Sequence, residues 1–228
     1  LVLSGAAVLN GTGNAENNTL LGNANANSLN GGGGVDSLIG GDGADTLNGG
    51  ADALSDSLVG GLADDTYIID GAAPDLIVES VGGGLDRVMM MSGASYTLAD
   101  QVENLLLTGA GVLNGTGNAL ANRITGNGDA NSLIGAAALD TLEGGTGADT
   151  LQGGDDADSL FGGAGIDLLD GGAGLDTLVG GEGGDSLTGG AGIDRFIVTA
   201  DPAADTIADL GQGGADVLLV ATGARVEA

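Results

Sequence analysis

Aspartate returns at nine-residue intervals along much of this chain, and it is almost the only side chain present that could do chemistry. The 228 residues include no histidine and no cysteine. That removes imidazole bases, thiolate nucleophiles, zinc sites built on His and Cys, and disulfides. What remains is 32 Asp+Glu against 4 Lys+Arg, a net charge of −28. Adjacent carboxylates such as Asp155 and Asp156 could in principle work as an acid and a base, but carboxylates repeated in phase suit ion binding better. Carboxylate and carbonyl oxygens together favour Ca²⁺, whereas the tight octahedron of Mg²⁺ fits a ladder of backbone carbonyls less well.

The same balance excludes several partners. Nucleic acid needs Lys and Arg against its phosphates, and anionic membrane surfaces repel this chain. Glycine-rich loops can cradle phosphate, but without a lysine no Walker motif is possible. No apolar run reaches the roughly 18 residues of a membrane span. The opening Leu1–Leu9 resembles a signal remnant, yet "LVLSGAAVLNGTGN" at Leu1 recurs as "LLLTGAGVLNGTGN" at Leu105, so it is read as structure. The pattern is already under way at Leu1, and the chain is expected to be cut from something longer. Composition alone would also suit a disordered linker, but a phased template sets this chain apart.

That template is Gly-Gly-x-Gly-x-Asp-x-apolar-x. From Gly117 the blocks begin at Gly126, Gly135, Gly144, Gly153, Gly162, Gly171, Gly180 and Gly189, as in "GGTGADTLQ" and "GGAGIDLLD". An earlier array begins at Gly13, Gly22, Gly31, Gly40, Gly49 and Gly60, and its Gly49 block carries two extra residues that return Asp56 and Leu58 to frame. Seven blocks match all five fixed positions. Glycine permits backbone conformations that other residues avoid, so the first half of each block reads as a turn. Positions seven to nine read as a short strand with only the middle residue inward. Turn, strand, turn, strand makes a coil of roughly eighteen residues, and coils stack into a solenoid. The expected fold is therefore all-β, a parallel β-roll with two nonapeptides per coil.

The inward column is expected to hold Leu133, Leu142, Leu151, Leu160, Leu169, Leu178, Leu187 and Phe196. Tyr67 takes the same slot at the end of the first array. Stacking sets equivalent aspartates about 4.7–4.9 Å apart. Like charges near 4 Å repel by about 1 kcal/mol in water and about 4 at an effective dielectric of 20, so a dication between coils reverses an unfavourable term. The expected organisation is an irregular β segment over 1–12, a first array over 13–69, irregular β over 70–112, a second array over 113–198, and a β flank over 199–228. Within 70–112 the patches "DLIVES", "DRVMMM", "SYTL" and "VENLLL" read as the same sheet continued, not as a flexible linker.

These blocks resemble the repeats-in-toxin (RTX), or haemolysin-type, calcium-binding repeat family, and the resemblance covers nearly the whole chain. "DTIADLGQGGADVLLV" resembles the flank that commonly follows such arrays, with Leu210 where phenylalanine is more usual. The resemblance implies ions between coils, held by the position-six aspartate and by turn carbonyls. In the first array this nominates Asp36, Asp45, Asp56 and Asp65 with Gly32, Gly34, Gly41 and Gly43. In the second, Asp149, Asp167 and Asp185 line one edge, and Asp140, Asp158, Asp176 and Asp194 the other. Their turn glycines are Gly145, Gly147, Gly163, Gly165, Gly172, Gly174, Gly181, Gly183, Gly190 and Gly192. Ions of the order of ten would offset most of the charge.

Departures from the template carry expectations of their own. Blocks with Asn14 and Asn18, Asn23 and Asn27, Asn118 and Asn122, or Asn127 and Asn131 should bind calcium weakly or not at all, their amides stacking as a hydrogen-bonded ladder. Ala136 and Ala138 stand where turn glycines belong, which puts that turn in question. Asp129 and Asp156 replace the position-four glycine. The four arginines, Arg87, Arg123, Arg195 and Arg225, are expected to be solvated or paired with acidic neighbours.

The resemblance implies a secreted bacterial protein, exported unfolded by type I secretion and folding on calcium outside. Three roles fit: a structural surface segment (S-layer, adhesin or fibre), the non-catalytic secretion module of a protease, lipase or epimerase, or a toxin's repeat domain. The long-range duplication favours the first. The chain is expected not to be an enzyme itself, and to self-associate end to end into fibres or a lattice.

Overall fold

A computed structural model describes residues 1–211 and 213–227; Gln212 and Ala228 of the expected C-terminal flank lie outside the described residues. All regular elements described are β-strands, each of three to seven residues, and no helix is long and apolar enough to cross a membrane. The chain forms two compact units, Leu1–Gly109 and Ala110–Ala228.

Successive strands in each unit alternate between two parallel sheets. In the first unit one sheet takes Asn10–Thr12, Ser28–Asn30, Thr46–Asn48, Thr66–Ile69, Arg87–Met90 and Asn104–Leu107 in that order. The other takes Thr19–Leu21, Ser37–Asp42, Ser57–Leu62 and Leu76–Val78. A further strand, Ser95–Thr97, belongs to the same unit. In the second unit the sheets are Arg123–Thr125, Thr141–Thr146, Ser159–Ala164, Thr177–Glu182, Arg195–Val198 and Val217–Val220, and Asn114–Thr116, Ser132–Ala136, Thr150–Asp155, Leu168–Gly174, Ser186–Gly192, Ala204–Ile207 and Arg225–Glu227. Each unit is thus a β-solenoid whose coil is two nonapeptides long. Strands within 70–109 extend the sheets of the first unit, as the patterns there imply.

The position-eight column is the core. Leu142, Leu160, Leu178 and Phe196 stack in register in one sheet, and Leu133, Leu151, Leu169 and Leu187 in the other, all without solvent exposure. Tyr67 closes the first array in the same slot, stacked beside Leu47 and Val88. The two-residue insertion before Asp56 is accommodated outside the strands, because Leu58 still pairs with Leu38.

The strands differ from expectation in length. In the second array they run on through the Gly-Gly pair, as in Ser159–Ala164, and alternate buried residues at two positions. The second buried position is the first glycine of the next block. A side chain there has no room: a Cβ on Gly162 would run into the Asp167 carboxylate and the Gly180 carbonyl. Glycine at that position leaves the interior to the aspartate.

The turn at Gly135 is retained despite its alanines, with Ala136 at φ +96° and Ala138 at φ +73°. The left-handed region costs an L-residue roughly 1–2 kcal/mol, partly offset because alanine restricts the unfolded chain by about 0.4–1 kcal/mol relative to glycine. Ala136→Gly is therefore expected to stabilise the second unit by about 0.5–1 kcal/mol, read as a higher thermal midpoint in calcium. A lowered midpoint would contradict the strain assigned to this turn.

Candidate metal centre

Position six sits where a turn enters a strand, so the two aspartate columns of each solenoid lie at opposite edges. In the second unit the backbone N–H of Asp140 donates to Oδ1 of Asp158 (2.8 Å), Asp158 to Asp176 (2.8 Å), and Asp176 to Asp194 (3.0 Å). The other edge runs from Asp149 to Asp167 (2.8 Å) and on to Asp185 (2.9 Å). In the first unit Asp36 donates to Asp56 (2.7 Å) and Asp45 to Asp65 (2.7 Å). One carboxylate oxygen of each coil thus satisfies the backbone of the coil before it.

The second oxygen is left over. Oδ2 of Asp36, Asp45, Asp56, Asp65, Asp140, Asp149, Asp158, Asp167, Asp176, Asp185 and Asp194 is buried and has no hydrogen-bond partner. These are the aspartates that the repeat nominates. An unsatisfied buried acceptor costs about 1–3 kcal/mol, and more if charged, so a row of them is stable only with a positive partner. The ion pair of Arg123 with Glu143, at 2.6 Å, lies at the surface and does not involve the column aspartates. The donor set fits a hard divalent cation: charged oxygens, aligned, and lacking any protein partner.

The nominated glycines lie against the backbone of the preceding coil. Gly145, Gly163 and Gly181 align in one column, as do Gly172 and Gly190, and Gly174 and Gly192. Gly163 at φ +110° would drive a Cβ into the Gly145 carbonyl, and Gly165 at φ +153° into that of Gly147. Gly183 abuts the Gly165 carbonyl in the same way; Gly32 and Gly41 abut the carbonyls of Asn14 and Asn23, and Gly34 and Gly43 the main chain at Glu16 and Asn25. The turns therefore stack with almost no space between carbonyls and the next Cα.

The asparagine coils are built differently. Oδ1 of Asn27 accepts from Asn23 N–H (2.8 Å), and its amide donates to the Leu9 carbonyl (2.7 Å) and to Asn23 Oδ1 (3.3 Å). Asn131 repeats the arrangement with Asn127 and the Leu113 carbonyl. For these two residues the amide ties its own turn and a backbone carbonyl one coil back, where an amide-on-amide ladder was expected. The oxygen accepts a backbone N–H, and the NH2 group, in place of a second oxygen, donates, so no acceptor is stranded.

The columns also run further than the nonapeptide frame. Asp56 N–H donates to Asp75 (3.0 Å), Asp65 to Asp86 (2.8 Å), Asp86 to Glu103 (2.8 Å), Asp185 to Asp205 (3.1 Å) and Asp194 to Asp216 (3.0 Å). Asp86 shares the stranded Oδ2. A signal for it exists in "VGGGLDRVM", where glycine, aspartate and valine hold positions two, four, six and eight. Asp75 and Asp205 keep only the Asp-x-apolar end of the template.

An edge-lined β-solenoid with stranded, aligned carboxylate oxygens is a calcium-binding β-roll. The model of the RTX calcium-binding nonapeptide repeat matches the chain in four copies, at residues 12–47, 33–67, 135–169 and 161–196, which together span more than half of it. The chain belongs to this family, and its repeat β-roll is a structural module that binds Ca²⁺ and is not itself catalytic. No curated protein matches it significantly.

Burial raises the carboxyls of Asp45, Asp140, Asp167 and Asp176 to about 6, and those of Asp65 and Asp158 to about 7. The N–H from the preceding coil opposes this rise, and neighbouring carboxylates add to it at Asp65, Asp158, Asp167 and Asp176. These groups bind protons more tightly folded than unfolded, where the value is near 3.8. Without metal, their contribution to stability is complete below about pH 4 and is lost as pH rises through about 6–7. In EGTA, acidification from about pH 7.5 to about 5 should therefore increase β content by circular dichroism, while calcium affinity falls across the same window as protons compete. Metal-free β content indifferent to pH would contradict this.

Proposed function

We propose that this chain is the calcium-dependent structural region of a secreted bacterial protein, disordered in the low-calcium cytosol, exported by type I secretion, and rigid once calcium is met outside. The observation that carries the reading is the row of buried Oδ2 atoms without partners. An apo chain must strand each of these charges to close its coils, while the core offers one apolar side chain per nonapeptide against that cost. Ion binding then becomes folding free energy. The ligands in this reading are the position-six aspartates at both edges and the turn carbonyls beside them, with ions concentrated from Gly31 to Tyr67 and from Gly135 to Phe196.

Circular dichroism of the chain in EGTA should show coil, and calcium at about millimolar concentration should convert it to sheet. Asp167→Ala should weaken that calcium dependence markedly, and Asn122→Ala much less. Full β structure in EGTA at neutral pH and low salt, or equal effects of the two substitutions, would overturn the reading.

The surface role (S-layer, adhesin or fibre) is supported by the two arrays that repeat the same architecture within one chain. Parallel sheets of a solenoid expose backbone groups on their outermost strands, and such edges recruit further strands. A head-to-tail contact that does not close grows as a filament. Negative-stain microscopy in calcium is expected to show linear assemblies that EGTA disperses. A strictly monomeric particle at high concentration would exclude this role for the chain.

A further inference from the structure

The end of the first array departs from the regular ladder in a way the repeat does not explain. Asp65 and Asp86 are each 1% exposed, and each keeps an Oδ2 without a partner. Between them comes Glu79, a residue outside any nonapeptide. One carboxylate oxygen from each of Asp65, Glu79 and Asp86 lies within 4.8 Å of the other two. Opposed oxygens around a Ca²⁺ ion at about 2.3–2.6 Å are separated by about 4.6–5.2 Å, so the three can share one ion.

The surroundings prepare this cluster. The Tyr67 hydroxyl donates to Glu79 Oε1, and Ser80 N–H donates to Oε2 at 3.1 Å, which holds the glutamate against the column. Asp65 Oδ1 accepts from Asp45 N–H (2.7 Å) and Asp86 Oδ1 from Asp65 N–H (2.8 Å), so both aspartates are locked with their free oxygens inward. Gly60 provides the space: a Cβ there would meet Asp65 Oδ2, the Tyr67 hydroxyl and Glu79 Oε1 together. Burial, with Glu79 adding to it, pushes the Tyr67 phenol well above its usual range, so it remains a donor.

We propose that Asp65, Glu79 and Asp86 form a three-carboxylate site for a hard cation at the end of the column, with Glu79 as the added ligand and Tyr67 positioning it. The site takes the free oxygens of Asp65 and Asp86 from the column and adds Glu79, a ligand from outside the repeats. It gives the first unit an ion at the point where the spacing of the repeat becomes irregular.

Tyrosine makes the site observable, since the chain has two tyrosines and no tryptophan. The 228-residue chain, folded in calcium and freed of excess, would be titrated with Tb³⁺ and excited through tyrosine. Sensitised emission is expected in the parent chain and in Tyr96→Phe, and its loss in Tyr67→Phe and Glu79→Gln. Native mass spectrometry of the calcium-loaded chain should count one ion fewer in Glu79→Gln, while calcium still drives its folding by circular dichroism. Undiminished emission and an unchanged ion count in Glu79→Gln would overturn the proposal. If the chain is already fully folded in EGTA, the calcium-gated reading falls, and Glu79-dependent emission still decides this one.

Discussion

Through most of the ladder, coil is held to coil by an aspartate that can satisfy only half of itself. Its Oδ1 accepts the N–H of the aspartate one coil earlier, which completes the backbone bonding of the turn, and its Oδ2 is then trapped in the interior with nothing to bond. The two halves cannot be separated, because the geometry that makes the first bond buries the second oxygen. Much else in the fold follows. The first glycine of each block is needed because that oxygen occupies the space of a side chain, as at Gly162 below Asp167. The later turn glycines are needed because coils tied at this distance leave no room for a Cβ above the preceding carbonyl.

The thinness of the core belongs to the same constraint. With leucine or its equivalent as the single large inward side chain of a nonapeptide, burial cannot by itself outweigh the ordering of nine residues and a row of stranded charges. In the function proposed, the missing stability comes from bound cations. The asparagine coils show the contrast within one chain. Asn27 and Asn131 replace the trapped oxygen with an amide that bonds its own turn and a neighbouring carbonyl, so these positions leave no buried acceptor unpaired. Asn and Asp at position six differ by one donor, and that donor decides whether a buried oxygen is left without a partner.

Fold and ladder were legible in the residues because a solenoid converts sequence phase directly into spatial columns. Leu142, Leu160, Leu178 and Phe196 must stack if equivalent positions stack, and the same holds for the aspartates. The absence of histidine, cysteine and lysine narrowed the chemistry to oxygen ligands before any geometry was known. What phase could not disclose is how the two oxygens of one carboxylate divide their work. Both are the same letter in the sequence, and only the packed coil makes one an acceptor and the other an orphan. Strand length was hidden for a related reason: glycine carries no apolar signal, yet buried glycines continue the strands through the turn.

The tertiary structure alone also decided membership at the ends of the columns. Asp75, Asp86, Glu103, Asp205 and Asp216 join at irregular separations, because a column requires an oxygen at the right height and is indifferent to how much chain the intervening loop consumes. Glu79 meets Asp65 and Asp86 on the same terms. Repetition fixes contacts only while the spacing is constant; once loops vary, the hydrogen bonds and close packing of the coil select the partner.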